Sequence, residues 1–565
     1  MRDNSRLSEG SKIRQGRFMY YQNETILTII QAIVALAVVL FYGFMEIQAA
    51  AWLILFVIGA VRYERYILHM FQQNSYKPTE YMEWMRVHSN VGRLLGKSLY
   101  AIVALPLVLI GSKGCMIAAC IMNIMTILVN KPQPAKKPLV YTKRVKRMLV
   151  TTAAIYLIAV SLSFLTGEYR IRICGAVLLV LFIMQPFLIL LVNLINRPVE
   201  RAVDRYYIND AARILREMPD LKIIGVTGSY GKTSVKYFLS ALLSVQYNVL
   251  HTPGNYNTTL GVVRTIREQM KPFHEIFVCE MGAREVGDIK EICELVHPGY
   301  GIITSIGPQH LQSFHTIENI ISTKFELADA IPADGRVFLN YDNEYIRAHK
   351  IDRNIVSYGV TGDDISYKAY DIAVSQSGSS FKMRDAKGDE YEFHTRLVGN
   401  HNVQNIAGAI AVANTLGIPM EKLRYPVKQL ESVPHRLQLT KQGGRIVLDD
   451  SYNSNKSGFK AALDTLAMFK ELRILMTPGM VELGEKQYDE NKEVGVYAAD
   501  KCDYAVLVGK EQTRPIQDGL TEAGFARSRM IVVDTLQEAF QMVNAIPDER
   551  QKVVLIENDL PDNYA

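Results

Sequence analysis

A chain of 565 residues, 49% hydrophobic and 21% charged, is too long for one core and divides into about three or four units. Its net charge of +6 is modest, and its basic loops carry little aromatic interleaving, which excludes a nucleic-acid binder. Six cysteines (Cys115, Cys120, Cys174, Cys279, Cys293, Cys502), scattered without CxxC spacing or clustered histidines, exclude a disulfide scaffold and a zinc centre and read as buried small hydrophobes in a reducing compartment.

The first long element is Ile26–Met45, an uncharged, apolar run of 20 residues, about what a helix needs to cross roughly 30 Å of hydrocarbon. Further apolar runs lie at Ile47–Val61, Ser98–Ile110, Cys115–Val129, Met148–Leu165 and Ile173–Ile195. The last two are long enough to span unaided, whereas the middle ones leave room for buried soluble helices or re-entrant hairpins. Lys and Arg arbitrate. Five precede Ile26, six lie between Arg62 and Lys97, seven between Lys131 and Arg147, and the intervening loops carry almost none. Because such charges stay cytoplasmic, six spans with both ends in the cytoplasm are expected: a multi-pass cell-membrane domain over residues 1–196. A cleaved signal peptide does not fit, since further spans follow. The segment 197–220 reads as an amphipathic linker helix.

From Leu221 the periodicity changes. The runs "KIIGVT", "NVLHT", "EIFVCE" and "GIITSI" alternate with helical patterns, which predicts a mainly parallel sheet covered on both faces, with ligands at its carboxyl edge. The first strand enters the turn of "IIGVTGSYGKTSVKYF", and the turn enters a helix. Gly228 and Gly231 let the backbone approach phosphates, flanked by Ser229 and Ser234; Lys232 reaches the terminal phosphates, and Thr233 offers a hydroxyl to magnesium. The common form of such a loop has glycine where this chain has Val226. A terminal phosphate addressed by Lys232 and Thr233 points to ATP.

The turn and the blocks that follow it in order, "GNYNTTLGVVRT", "CEMGAREVGDI", "TSIGPQHLQSF", "TKFELA", "GNHNVQNIAGAIAVANTLGI", "PHRLQ", "LDDSYNSN" and "VELGE", resemble the Mur ligase family, ATP-dependent amide ligases of peptidoglycan synthesis with folate and polyglutamate relatives. The resemblance covers Leu221 to Ala565. It implies a P-loop-type ATP-binding central domain over 221–431 and a Rossmann-like α/β C-terminal domain over 432–565, both cytoplasmic, joined by a linker around Tyr425–Glu431. It also implies a reaction in which ATP phosphorylates a carboxylate and an amine displaces phosphate. Two Mg2+ ions are implied, held by Thr233, Glu280, His310 and a carbamylated Lys324. Carbamylation needs a neutral amine, so Lys324 is expected where burial or neighbouring cations depress its pKa. His401 and Asn405 are implied nearest ATP, with Asn402 oriented alike. Arg436 is implied on the terminal phosphate from a hinged domain, and Asp450 as a ribose- or lysine-orienting group. Asn255, Asn257, Tyr452, Asn453 and Asn455 are the candidates for substrate contact.

Lys456 stands where the family has proline and Gly479 where it usually has aspartate, which leaves the amine open. The implied donor is a UDP-linked or lipid-linked muramoyl peptide and the implied acceptor an amino acid or dipeptide. The family's small UDP-gripping domain has no counterpart before Leu221; the apolar runs stand there, suggesting contact with membrane lipid. A ligase of another polymer, such as poly-γ-glutamate, and a silent membrane scaffold for cell-wall enzymes are the alternatives. Five charged residues converging on phosphate serve no purpose in the scaffold.

Overall fold

Residues 47–86, 90–131, 138–309, 311–452, 454–481 and 483–558 are described by this computed structural model. The run Ile26–Met45, the basic tail before it, His310 and Asn453 lie outside the described residues. The chain divides into two units, one up to Val203 and one from Asp204.

In the first unit the apolar runs become helices at Ile47–Gln73, Asn90–Ile110, Lys113–Val129, Lys143–Ser163, Arg170–Ile183 and Gln185–Arg216. Side-chain oxygens of Ser112 and Thr142 cap two of them by accepting from the amides of Cys115 and Val145, which satisfies donors a helix start leaves free. Trp52, Phe56, Tyr63, Phe71, Tyr81 and Phe182 fill the interior. Two helices among the described residues, Asn90–Ile110 and Lys143–Gly167, are long and apolar enough to cross a membrane. Two expectations change. The run at 47–61 is only the first half of a 27-residue helix that continues through Arg62, Glu64 and Arg65. The run Ile173–Ile195 is not one straight span but two helices bent by 84°. Pro186, in the first turn of the second helix, has no amide to bond the carbonyl of Phe182, so the ladder breaks there. The second helix runs unbroken from Gln185 to Arg216 and includes most of the segment predicted as a linker.

The second unit holds two sheets. Strands β1 (Lys222–Thr227), β2 (Val249–His251), β3 (Ile276–Glu280), β4 (Tyr300–Ile303), β5 (Arg336–Asn340), β6 (Ile355–Gly359), β7 (Tyr367–Ser375), β8 (Gly378–Arg384) and β9 (Glu390–Thr395) are arranged in the order 2-3-1-4-5-6-7-8-9. Pairing is parallel as far as β7, and β7–β9 form an antiparallel ribbon not read from the sequence. Alternate residues of β1 enter opposite cores. Ile224 and Val226 join Val235, Phe238 and Ile406 on one face, and Ile223 joins Ile266, Ile292 and Phe325 on the other.

The second sheet comprises β10 (Gln438–Gln442), β11 (Arg445–Asp450), β12 (Leu472–Thr477), β13 (Tyr504–Val508), β14 (Met530–Val533) and β15 (Lys552–Glu557), in the order 10-11-15-12-13-14. Only β10 is antiparallel to its neighbour. Tyr425 lies in the helix Met420–Gln429, so the connection between the sheets begins later than predicted, at Leu430.

Candidate active site

The cradle is pinned from the loop after β4. Gly228 (φ +149°) and Gly231 (φ +80°) take conformations that side chains resist. A Cβ on Gly228 would meet the Thr304 hydroxyl, and one on Gly231 would stand 2.7 Å from Asn405 Oδ1. Ser229 donates its hydroxyl to the Gly307 carbonyl (3.0 Å) and its amide to Ser305. Both groups are therefore committed to holding the loop rather than facing a ligand. Lys232 Nζ donates to the carbonyls of Gly228 (2.6 Å) and Ser229 (2.9 Å). Burial pushes its pKa down to about 8, with Glu280 opposing and Arg436 assisting. Ser234 stands in the first turn of the helix Lys232–Leu243.

Glu280 ends β3, the strand beside β1 in the register Val226–Glu280, and is the hub. Its Oε1 accepts from the Thr233 hydroxyl (3.1 Å) and from Asn257 Nδ2 (3.0 Å), and its Oε2 lies 2.9 Å from Lys236 Nζ. Lys236 also donates to the Gly254 carbonyl at 2.7 Å. Lys236 and Glu280 are 0% and 1% exposed, so neither could be buried without the other. Lys236 was missed in the sequence, where it reads as an ordinary helical lysine. Asn257, expected at substrate, is turned toward Glu280, and Asn255 is exposed on the same loop.

Lys324, on the helix Ile317–Ala330, is 3% exposed. Burial, assisted by Lys232, holds its amine well below the usual lysine range against the pull of Asp288 and Glu326. The two lysines therefore feel one another in a single region. Hard oxygens from Thr233 and Glu280 at a helix N-terminus fit one magnesium ion. No cluster of three or more His, Cys, Asp or Glu able to hold a metal occurs among the described residues. A second ion would rest on Lys324 and on His310, which lies outside them.

Asn405 presents its carboxamide to Gly231, whereas Asn402, expected to orient alike, bonds the Val398 carbonyl four residues back (2.9 Å). His401 Nδ1 is buried without a hydrogen-bond partner among the described residues, and burial pushes the ring's pKa down to about 4. A neutral imidazole with an unused nitrogen suits contact with a base or ribose. From the second sheet, the Arg436 guanidinium lies over the Tyr452 ring at 4.3 Å. No carboxylate among the described residues is within ion-pair distance of it. Tyr452 thus supports Arg436. Asn455 accepts from the Gly458 amide at 2.9 Å as the cap of the helix Lys456–Ala467, which commits its oxygen to structure. Asp450 Oδ1 accepts from the Leu437 amide at 3.0 Å, placing it against the turn that carries Arg436.

Comparison with known proteins places this arrangement. Residues 226–413 match the Mur ligase middle domain, and residues 435–557 match the Mur ligase, glutamate ligase domain. The UDP-N-acetylmuramoyl-tripeptide–D-alanyl-D-alanine ligase of Bacillus subtilis is 33% identical over 293 residues, 51% of this chain and 63% of the relative. The chain thus spans just under two thirds of that relative's length. The Escherichia coli ligase of the same name is 28% identical over 332 residues, 56% of this chain and 73% of the relative. Among solved structures, MurF from Acinetobacter baumannii superposes with a TM-score of 0.57 at 25% identity, covering 63% of this chain and 77% of that one.

Proposed function

Because this chain belongs to the Mur ligase family through its middle and C-terminal domains, we propose that it is a membrane-anchored, ATP-dependent amide ligase of peptidoglycan-precursor synthesis, joining a muramoyl-peptide carboxylate to an amine such as D-alanyl-D-alanine. The observation that carries the reading is the gathering of Lys232, Thr233, Glu280, Lys324 and Asn405 around one glycine turn, with Arg436 within electrostatic reach of Lys232.

Oxide is a poor leaving group, so the carboxylate is first phosphorylated by ATP, and the amine then displaces phosphate. The charge that builds on the transferred phosphoryl group is met by Lys232 from the cradle and Arg436 from the second sheet. Thr233 and Glu280 would hold magnesium, which when bound neutralises phosphate charge. Lys236 fixes the Glu280 carboxylate, and Asn405 forms the wall behind Gly231. The neutral amine that burial imposes on Lys324 is the form that takes up carbon dioxide, and the resulting carbamate would hold a second ion. Lys324→Ala is accordingly expected to lose most activity and to regain part of it when short-chain carboxylic acids are added. A fully active alanine variant, measured by phosphate release, removes this role.

The membrane part of the reading is supported by an apolar exterior around the core of the first unit, with several polar side chains enclosed. Ile102, Leu109, Ile117, Ile121, Ile158 and Leu162 face outward, while Ser98, Asn123, Thr126, Thr152 and Gln185 are buried. Water selects the opposite arrangement, and apolar surface on this scale marks contact with lipid or protein. A tether of this kind raises the effective concentration of lipid-linked partners without new contacts.

The deciding experiment offers the purified full-length protein UDP-linked and lipid-linked muramoyl tripeptides, each with D-alanyl-D-alanine, glutamate or ammonia. ATP-dependent joining of a muramoyl tripeptide to D-alanyl-D-alanine is the expected result. Joining of none sinks the reading, and joining of glutamate alone moves the protein to another polymer.

A further inference from the structure

Arg436 sits between two residues in the left-handed region, His435 (φ +62°) and Leu437 (φ +46°). Neither is glycine, so the turn persists only if its surroundings hold it. Strand β11 does so from both sides. Asp449 Oδ2 lies 2.8 Å from His435 Nδ1, Asp450 Oδ1 accepts from the Leu437 amide at 3.0 Å, and the Tyr452 amide donates to the His435 carbonyl at 3.3 Å.

Beneath Asp450 stands a residue the proposed reaction does not use. Glu557 is its register partner on β15 and is fully buried. The Ser454 hydroxyl donates to its Oε1 at 2.6 Å, and Oε2 is buried with no hydroxyl, amide or ammonium donor reaching it among the described residues. Two adjacent carboxyls, one buried and one half-buried, cannot both ionise cheaply, and one proton between them satisfies both. Burial and the Asp450 charge hold the Glu557 carboxyl well above the usual range, while burial, opposed by Arg436, pushes Asp450 up to about 6. The charged groups facing the pair are Arg436 on the turn and Asp449 on β11, with His435 on Asp449.

We propose that Glu557 is a positioning residue for Arg436: sharing one proton with Asp450, it fixes the carboxylate that pins the Leu437 amide, and so holds the strained turn from which Arg436 serves the phosphate cradle. This rests on the ligase reading for its effect on rate, although the pair itself does not. Losing the shared proton puts a second negative charge opposite Arg436 and draws the guanidinium back from the cradle.

Two measurements on the full-length protein test this. In the joining reaction, Glu557→Ala lowers kcat about tenfold and leaves the KM for ATP within about twofold, as expected of a group acting through another. Glu557→Gln, which keeps a neutral donor, recovers most of that rate and moves the alkaline fall of kcat upward by about one pH unit or more. Lys232 is present in every variant, so the difference between variants isolates the pair. An unchanged alkaline limb in Glu557→Gln, or an unchanged kcat in Glu557→Ala, overturns the proposal.

The second measurement needs no substrate. A carboxyl whose pKa is raised on folding contributes stability that is lost as pH rises through its folded value. The Tm of the wild type, relative to Glu557→Gln, therefore falls as pH rises above the ordinary carboxylate range. Parallel Tm curves overturn the shared proton. A falling difference in a protein that joins no amine leaves the pair standing and removes the ligase reading instead.

Discussion

Lys232→Ala is expected to lower acyl-phosphate formation by roughly two to three orders of magnitude, the usual loss when a donor aimed at developing charge is removed. Its Nζ now bonds the carbonyls of Gly228 and Ser229, so in the protein alone the ammonium hydrogen-bonds loop dipoles and feels Glu280 only through space. A triphosphate supplies the anion this position lacks, and no other described side chain reaches the same carbonyls. The stability of the variant separates lost chemistry from lost fold. The Lys232 pKa is depressed to about 8 by burial, so the unfolded chain binds a proton that the folded one holds weakly, and stability rises with pH from about 8 to the unperturbed lysine value near 10.4. Alanine removes that cost. The variant should therefore melt no lower than the wild type at neutral pH, while failing to turn over ATP in a coupled ADP assay. Undiminished ATP consumption would rule out the cradle.

Arg436→Ala is expected to cost about a thousandfold in kcat, the lower range for an arginine delivered to a transferring phosphoryl group, with nucleotide affinity changed far less. Stacked on Tyr452 and without a carboxylate partner among the described residues, the guanidinium is oriented but not neutralised. Arg436→Lys should recover little, because an ammonium neither stacks as a plane nor offers the flat two-pronged fork that grips two oxygens of one group side by side. Single-turnover phosphate release, set against equilibrium binding of a non-hydrolysable ATP analogue, distinguishes the two effects. Equal losses in both would make Arg436 a binding residue only.

How much of this could be read from residues depends on whether the information is local. The cradle was legible because strand, glycine turn and helix follow one another within Ile223–Phe238. Glu280 was legible as a strand-ending acid at the same sheet edge. Lys236 was not, because a lysine on the exposed-looking side of a short helix is buried only when β3 brings Glu280 to meet it, a pairing set by sheet order. Glu557 is hidden for the same reason: its neighbour Asp450 is 107 residues away in sequence. Asn402 and Asn455 show the opposite failure, since polar side chains near helix starts are as easily used by the backbone as by a ligand. Two misses had visible signals. "AVSQSGSSFKMRDAKGDEYEFHT" alternates polar and apolar residues around two turn sequences, as an antiparallel ribbon should. The Gln185-Pro186 pair marks the break within the apolar run Ile173–Ile195.

The contact between Gly231 and Asn405 has a practical corollary for dissecting this protein. A fragment ended before Asn400, at the close of the antiparallel ribbon, would retain the whole glycine turn with Lys232 and Thr233 yet leave its back open to water. Such a truncation should fold poorly and hold nucleotide weakly, so the smallest useful piece must run through Leu430, where the core on that face of the sheet closes, and an inert shorter fragment would say nothing against the intact chain.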